Sequence, residues 1–194
     1  MYFNNLEGNI MMGRKKTKEN KIVMLVDFEN LLTNFEISSP TSYSVEAGFD
    51  KVTKEISREV GEITDVFIFV PPHLSSLWGE TFHKQGFFTI YCPKIKTKDE
   101  GEKDTVDSIL TEYGKREITK NPDLTHLCIG SGDKDFASSG EKNFVPLVRA
   151  AIRRGLKIIV VAGSLKSLSP ELISLADSKP DGSKMVYLFS PTKE

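Results

Sequence analysis

Cysteine is scarce in this chain, with two among 194 residues, Cys92 and Cys128. Both lie inside apolar, strand-like segments and read as buried, reduced thiols. So few exclude a disulfide scaffold or a Cys-rich zinc centre. The three histidines, His73, His83 and His126, lack metal-motif spacing. Long apolar runs are missing as well. The longest, such as Ile22–Val26 and Leu156–Ala162, are strand-sized, against the roughly 18 to 20 residues of a membrane-spanning helix, so no membrane association is expected. The N-terminus has no apolar signal core, which makes a cytoplasmic location the default expectation. Excess positive charge is also absent: 26 basic and 27 acidic residues leave a formal charge of −1. That excludes a globally basic nucleic-acid binder and leaves room for a local basic patch.

What is present suits a globule, with 39% hydrophobic and 27% charged residues. Residues 1–21 differ from the rest. They hold Arg14, Lys15, Lys16, Lys18 and Lys21 against Glu7 and Glu19, a net +3, and show no periodicity. The expectation is a disordered basic arm, solubilising or phosphate-binding, ahead of a single domain over 22–194.

Within that domain the strand-like runs are Ile22–Val26, Val66–Val70, Phe87–Tyr91, Leu124–Ile129, Lys157–Ala162 and Val186–Phe189. They are short, rich in β-branched and aromatic residues, and apolar on both faces, the pattern of buried parallel strands. Helical spacing appears over 44–60 (Val45, Phe49, Val52, Ile56, Val60), 104–118 (Val106, Ile109, Leu110, Tyr113) and 144–154. This alternation predicts an α/β fold with a central parallel sheet.

Ligands of open α/β sheets bind outside the carboxyl ends of the strands, so the residues that follow each strand matter most. The first strand runs straight into Asp27-Phe28-Glu29-Asn30. The fourth is followed by Ser131-Gly132-Asp133-Lys134-Asp135, and the helix after the third opens with Lys103-Asp104-Thr105-Val106-Asp107. If the first and fourth strands are neighbours, these acidic clusters converge at one sheet edge. Gathered carboxylates repel one another unless a positive charge neutralises them. Oxygen-only donors select a hard divalent ion, Mg2+ or Mn2+, which can support phosphodiester hydrolysis. Singly, Asp104, Asp133 and Asp135 also suit helix caps or turn braces, and Asn30 suits a cap or a partner for a carboxylate, water or phosphate. Asp27 is the hardest to assign to structure alone. Asn143, before Phe144-Val145-Pro146, is expected to cap the next helix, which leaves Asp135 either facing the acidic edge or bracing the turn.

VDFEN after the first strand, KDTVD opening a helix, and IGSGDKDF followed by FVPLVRAAIRRGLKIIVVA together resemble the NYN family. This branch of the PIN-like nucleases includes the LabA-type bacterial proteins. The resemblance covers about residues 22–177. It implies a Rossmann-like PIN fold, helices on both faces of a parallel sheet, and metal-dependent endonuclease activity, typically on RNA, here taken as single-stranded. By motif position Asp27, Asp107 and Asp133 resemble the family's metal-binding acids and Asn30 its site asparagine, with Asp104 and Asp135 as further catalytic candidates. Asp177, in Leu175-Ala176-Asp177, resembles a late acid read as structural or peripheral. Two departures stand out. KDTVD replaces a Lys-Gly-x-Asp pattern, so Asp104 and Asp107 compete for one role, and Phe136–Asn143 separates Asp135 from the helix.

Candidate phosphate contacts are Arg14, Lys15 and Lys16 in the arm, together with Lys103, Lys134, Arg149 and Arg153. The competing reading is an RNA-binding module of the same fold that cleaves weakly or not at all. A phosphatase-like or receiver-type domain fits less well. Glu29 stands where a phosphatase needs a second aspartate, and a receiver's acidic pair before the first strand is missing. The sequence leaves open whether the chain is a monomer or a homodimer.

Overall fold

The computed structural model describes residues 19–33, 40–97, 101–103, 105–132 and 144–190. Eight strands appear among them: β1 (Lys21–Asp27), β2 (Glu62–Val70), β3 (Phe88–Tyr91), β4 (Ile95–Thr97), β5 (Gly101–Lys103), β6 (His126–Gly130), β7 (Lys157–Ala162) and β8 (Val186–Leu188). The helices are α1 (Phe28–Thr33), α2 (Ser42–Glu59), α3 (Pro72–Lys84), α4 (Val106–Lys120), α5 (Val145–Arg153) and α6 (Pro170–Leu175).

Six strands form one all-parallel sheet in the order β3-β2-β1-β6-β7-β8, and β4 and β5 pair separately as an antiparallel ribbon. All six apolar runs picked out in the sequence lie in this sheet, and the expected adjacency of the first and fourth holds, since β1 pairs with β6 from Ile22↔His126 to Val26↔Gly130. The sheet begins one residue earlier than expected, because Lys21 belongs to β1. The rest of the proposed basic arm up to residue 18, Arg14, Lys15 and Lys16 included, lies outside the described residues.

The pleat sends alternate residues to opposite faces. Val23, Leu25, Leu127, Ile129, Ile158 and Val160 pack under α4, α5 and α6. Ile22, Met24, Val26, Cys128, Ile159 and Val161 pack under α1, α2 and α3. Both faces are therefore covered, which is why the central strands are apolar throughout. The two cysteines are free and buried, and burial drives the Cys128 thiol far above its ordinary pKa, so it stays protonated and inert.

Helix starts follow local chemistry. Thr41 and Ser44 form a reciprocal capping box at α2, with Ser44 N–H donating to Thr41 Oγ1 at 3.1 Å and Thr41 N–H to Ser44 Oγ at 3.0 Å. At α5 the cap position falls on Phe144, which makes no side-chain capping bond, and Asn143, the expected cap, lies outside the described residues. The buried Phe144 ring packs into the core at this helix start. No helix among the described residues is long and apolar enough to cross a membrane.

Candidate functional site

Asp27 is the last residue of β1, in register with Phe69 of β2. Only 2% of it is exposed, and a carboxylate so placed requires hydrogen-bond donors. The chain supplies them one helical turn later. Asn30 N–H donates to Asp27 Oδ1 at 3.2 Å, and the Asn30 side-chain amide donates to Oδ2 at 2.7 Å. Asp27 thereby caps α1. The turn is held from beneath by Phe28, whose ring meets Phe82 at 4.7 Å, Trp78 at 5.7 Å and Phe49 at 6.3 Å between centroids. A six-residue helix has little stability of its own, so this aromatic cluster fixes where Asp27 and Asn30 stand.

The alternation of β1 continues to Asp27 and places it on the same face as Val23 and Leu25, the one covered by α4 and α5. Helix α4 starts at this edge of the sheet and carries half-buried Asp107 in its first turn. Its approach is set by Thr105, buried just before the helix, whose hydroxyl donates to the Pro93 carbonyl at 2.6 Å. The next strand over, β6, ends close against β1. A Cβ added at Gly130 would lie 3.1 Å from Val26 Cγ2, a tight approach that favours glycine here. Ser131 is fully buried and extends the ladder by donating its N–H to Val161 O at 3.0 Å. Ser131 and Gly132 therefore lead the chain out at the sheet edge where Asp27 sits.

Of the sequence candidates, Asp27, Asn30 and Asp107 are thus brought to one edge, the first two in direct contact. Asp104, Asp133, Lys134 and Asp135 lie outside the described residues, as does the Lys103 side chain, while the Lys103 backbone ends β5. Arg149 is exposed midway along α5, and Arg153 is exposed in its last turn, at the opposite edge from Asp27. Nearby, the Arg154 guanidinium donates to Asn121 O at 2.6 Å at the end of α4. Asp177 also lies at that far edge, where its Oδ2 accepts the Ile158 N–H at 2.7 Å and ties the chain after α6 to β7.

The sequence reading passed over His73. It opens α3 directly after β2, and its Nε2 lies 3.6 Å from Glu29 Oε1. The strand-end rule applied to β2 would have singled it out. Thr105 was also missed, since its bond to Pro93 has no local signature.

The described donors at the edge are carboxylate and amide oxygens, chemistry that fits a hard divalent cation. Among the described residues, no group of three or more His, Cys, Asp and Glu side chains is assembled to hold a metal.

The sequence of residues 21–179 matches the NYN domain family model. The chain is also 27% identical over 165 residues to the uncharacterized protein MJ0482 of Methanocaldococcus jannaschii, a match that covers 85% of this chain and 56% of that protein. It therefore spans little more than half the length of this relative. The matched region takes in β1 through α6 and hence the helices on both faces of the sheet, and on this ground the chain belongs to the NYN domain family, whose fold is of the PIN-like nuclease type.

Proposed function

We propose that this protein is a metal-dependent endoribonuclease that hydrolyses phosphodiester bonds in single-stranded RNA. The observation that carries this reading is the Asp27 carboxylate, buried at the tip of a central strand and gripped on both oxygens by Asn30. Asp27, Asp107 and Asp133 would hold Mg2+ or Mn2+, with Asp104 and Asp135 as further acids at the same edge. When bound there, such an ion would supply positive charge to a phosphodiester whose charge rises in the transition state. Asn30 keeps the Asp27 carboxylate in one rotamer, the role that outer-shell donors play around metal ligands. Lys103 and Lys134 would hold phosphates beside the cut. Arg149, Arg153 and the arm lysines and arginine would add sequence-independent affinity farther away. Residues 22–194 form one domain in this reading, preceded by the basic arm 1–21.

The test is direct. Purified protein is incubated with end-labelled single-stranded RNA in Mn2+ and, separately, in excess chelator. Internal cuts that appear only with the metal support the reading. RNA left intact in Mn2+, or cut equally in chelator, overturns it.

A further inference from the structure

The edge that carries Asp27 continues outward across the sheet. In strand order it passes from Asp27 on β1, past His73 after β2, to Tyr91 at the tip of edge strand β3. Asp27 pairs with Phe69 and Tyr91 with Val70, one residue farther along β2. Two strand spacings and one residue of rise place the Asp27 and Tyr91 Cα atoms about 10 Å apart. Because Val70 belongs to the face under α1, α2 and α3 while Asp27 belongs to the other, the Tyr91 side chain leaves this edge on the α1–α3 side. Tyr91 is 55% exposed. Another exposed aromatic of the same strand, Phe88, has a packing role, since its ring stacks on Phe67 at 5.1 Å. The Tyr91 ring and hydroxyl have no stacking or hydrogen-bonding partner among the described residues. Beyond Tyr91 the backbone is pinned. Cys92 N–H donates to Val70 O at 2.9 Å, and Pro93 O accepts from Thr105 at the start of the Asp107 helix. The next residue, Lys94, is exposed.

An exposed aromatic ring with a neighbouring cation, on backbone fixed to the candidate cleavage edge, is the elementary unit of single-strand nucleic-acid binding. The ring stacks a base and the ammonium meets a phosphate. We propose that Tyr91 and Lys94 form an RNA subsite in which Tyr91 stacks a base of a strand that crosses this edge from the Asp27 face to the α1–α3 face, and Lys94 contacts the adjoining backbone. This inference rests on the RNA-directed reading of the same edge.

The test measures binding by the full chain to a short, mixed-sequence single-stranded RNA without added metal, so that it does not depend on cleavage. Tyr91→Ala should weaken binding about tenfold or more, whereas Tyr91→Phe, which keeps the ring, should stay within about twofold. Losing a stacked base leaves the salt dependence of binding unchanged, while Lys94→Gln should lower the slope of log affinity against log salt by about 0.7. A 2-aminopurine scanned through the bound RNA should be quenched by the wild type at a position where Tyr91→Ala does not quench it. Leu188→Ala, an exposed apolar residue on the opposite edge strand, should change none of these. The proposal is overturned if Tyr91→Ala binds an RNA as tightly as the wild type does. It is equally overturned if the substitution only splits a dimer joined through β3 and leaves RNA affinity intact. Binding that depends on Tyr91 without any cleavage in Mn2+ would support the subsite and remove the nuclease reading. Cleavage by Tyr91→Ala with wild-type KM would do the reverse.

Discussion

Asn30 holds both oxygens of the Asp27 carboxylate, one through its backbone N–H at 3.2 Å and the other through its side-chain amide at 2.7 Å. The backbone bond belongs to the helix turn and survives any non-proline substitution. The side-chain bond does not. Asn30→Ala should therefore leave α1 folded and free the Asp27 carboxylate to rotate. The expected result is an activity loss of about 10- to 100-fold with a raised Mn2+ requirement, measured as initial cleavage rate against Mn2+ concentration. Full activity at the wild-type Mn2+ midpoint would show that the amide does no orienting.

His126 begins β6 at the edge opposite Asp27, with 2% of its surface exposed and its Nδ1 2.8 Å from Thr125 Oγ1. Burial, with the Lys157 charge adding to it and Asp177 opposing, lowers its pKa from 6.5 to about 4. The unfolded chain thus takes up this proton at a higher pH than the folded one. Stability is complete above about pH 6.5 and is lost as pH falls towards 4, by roughly 2–3 kcal/mol from this group. Urea midpoints followed by the fluorescence of Trp78, the single tryptophan, should fall across that window. The fall should be shallower in His126→Gln, and parallel profiles would refute the assignment.

Gly114 sets how closely α4 lies on the sheet. A Cβ there would sit 2.6 Å from Leu147 Cδ2 and 2.7 Å from Leu25 Cδ1, and both leucines are fully buried. Overpacking of this kind costs about 1–3 kcal/mol, offset by up to about 1 kcal/mol of helix propensity. Gly114→Ala should lower Tm by about 2–6 °C in a thermal melt. A Tm at or above the wild-type value would mean that the leucines repack freely.

The sheet was legible because parallel strands covered on both faces must be apolar throughout, and six such runs stand out. The Asp27–Asn30 pair was legible as well, since a spacing of three just after a strand is one helical turn. Helix α3 was not, although Leu74, Trp78 and Phe82 recur every four residues, because this thin stripe follows Pro71-Pro72 and stands among polar residues that read as loop. The β4–β5 ribbon was hidden by a run of lysine and glutamate that reads as loop. Contacts made across the fold left no local trace: Glu29 with His73, Thr105 with Pro93, Gly114 against Leu25 and Leu147.

Asp107 stands in the first turn of α4, half-buried, next to a helix start fixed by Thr105. Between the two acids that compete for one role, Asp107→Ala should abolish more cleavage than Asp104→Ala, by about tenfold or more in initial rate. The reverse ranking, measured at equal protein stability, would assign the ligand to Asp104.

Asp27→Asn gives the most direct test of the central claim. Asparagine caps a helix about as well as aspartate, so α1 and the core should remain intact, and Trp78 fluorescence and Tm should stay near those of the wild type. The charge at the strand tip is nevertheless lost. In Mn2+, with single-stranded RNA as substrate, the wild type is predicted to make internal cuts, and Asp27→Asn is predicted to cut at least about 100-fold more slowly. A folded Asp27→Asn protein that cleaves at the wild-type rate would contradict the assignment of this edge as the nuclease site.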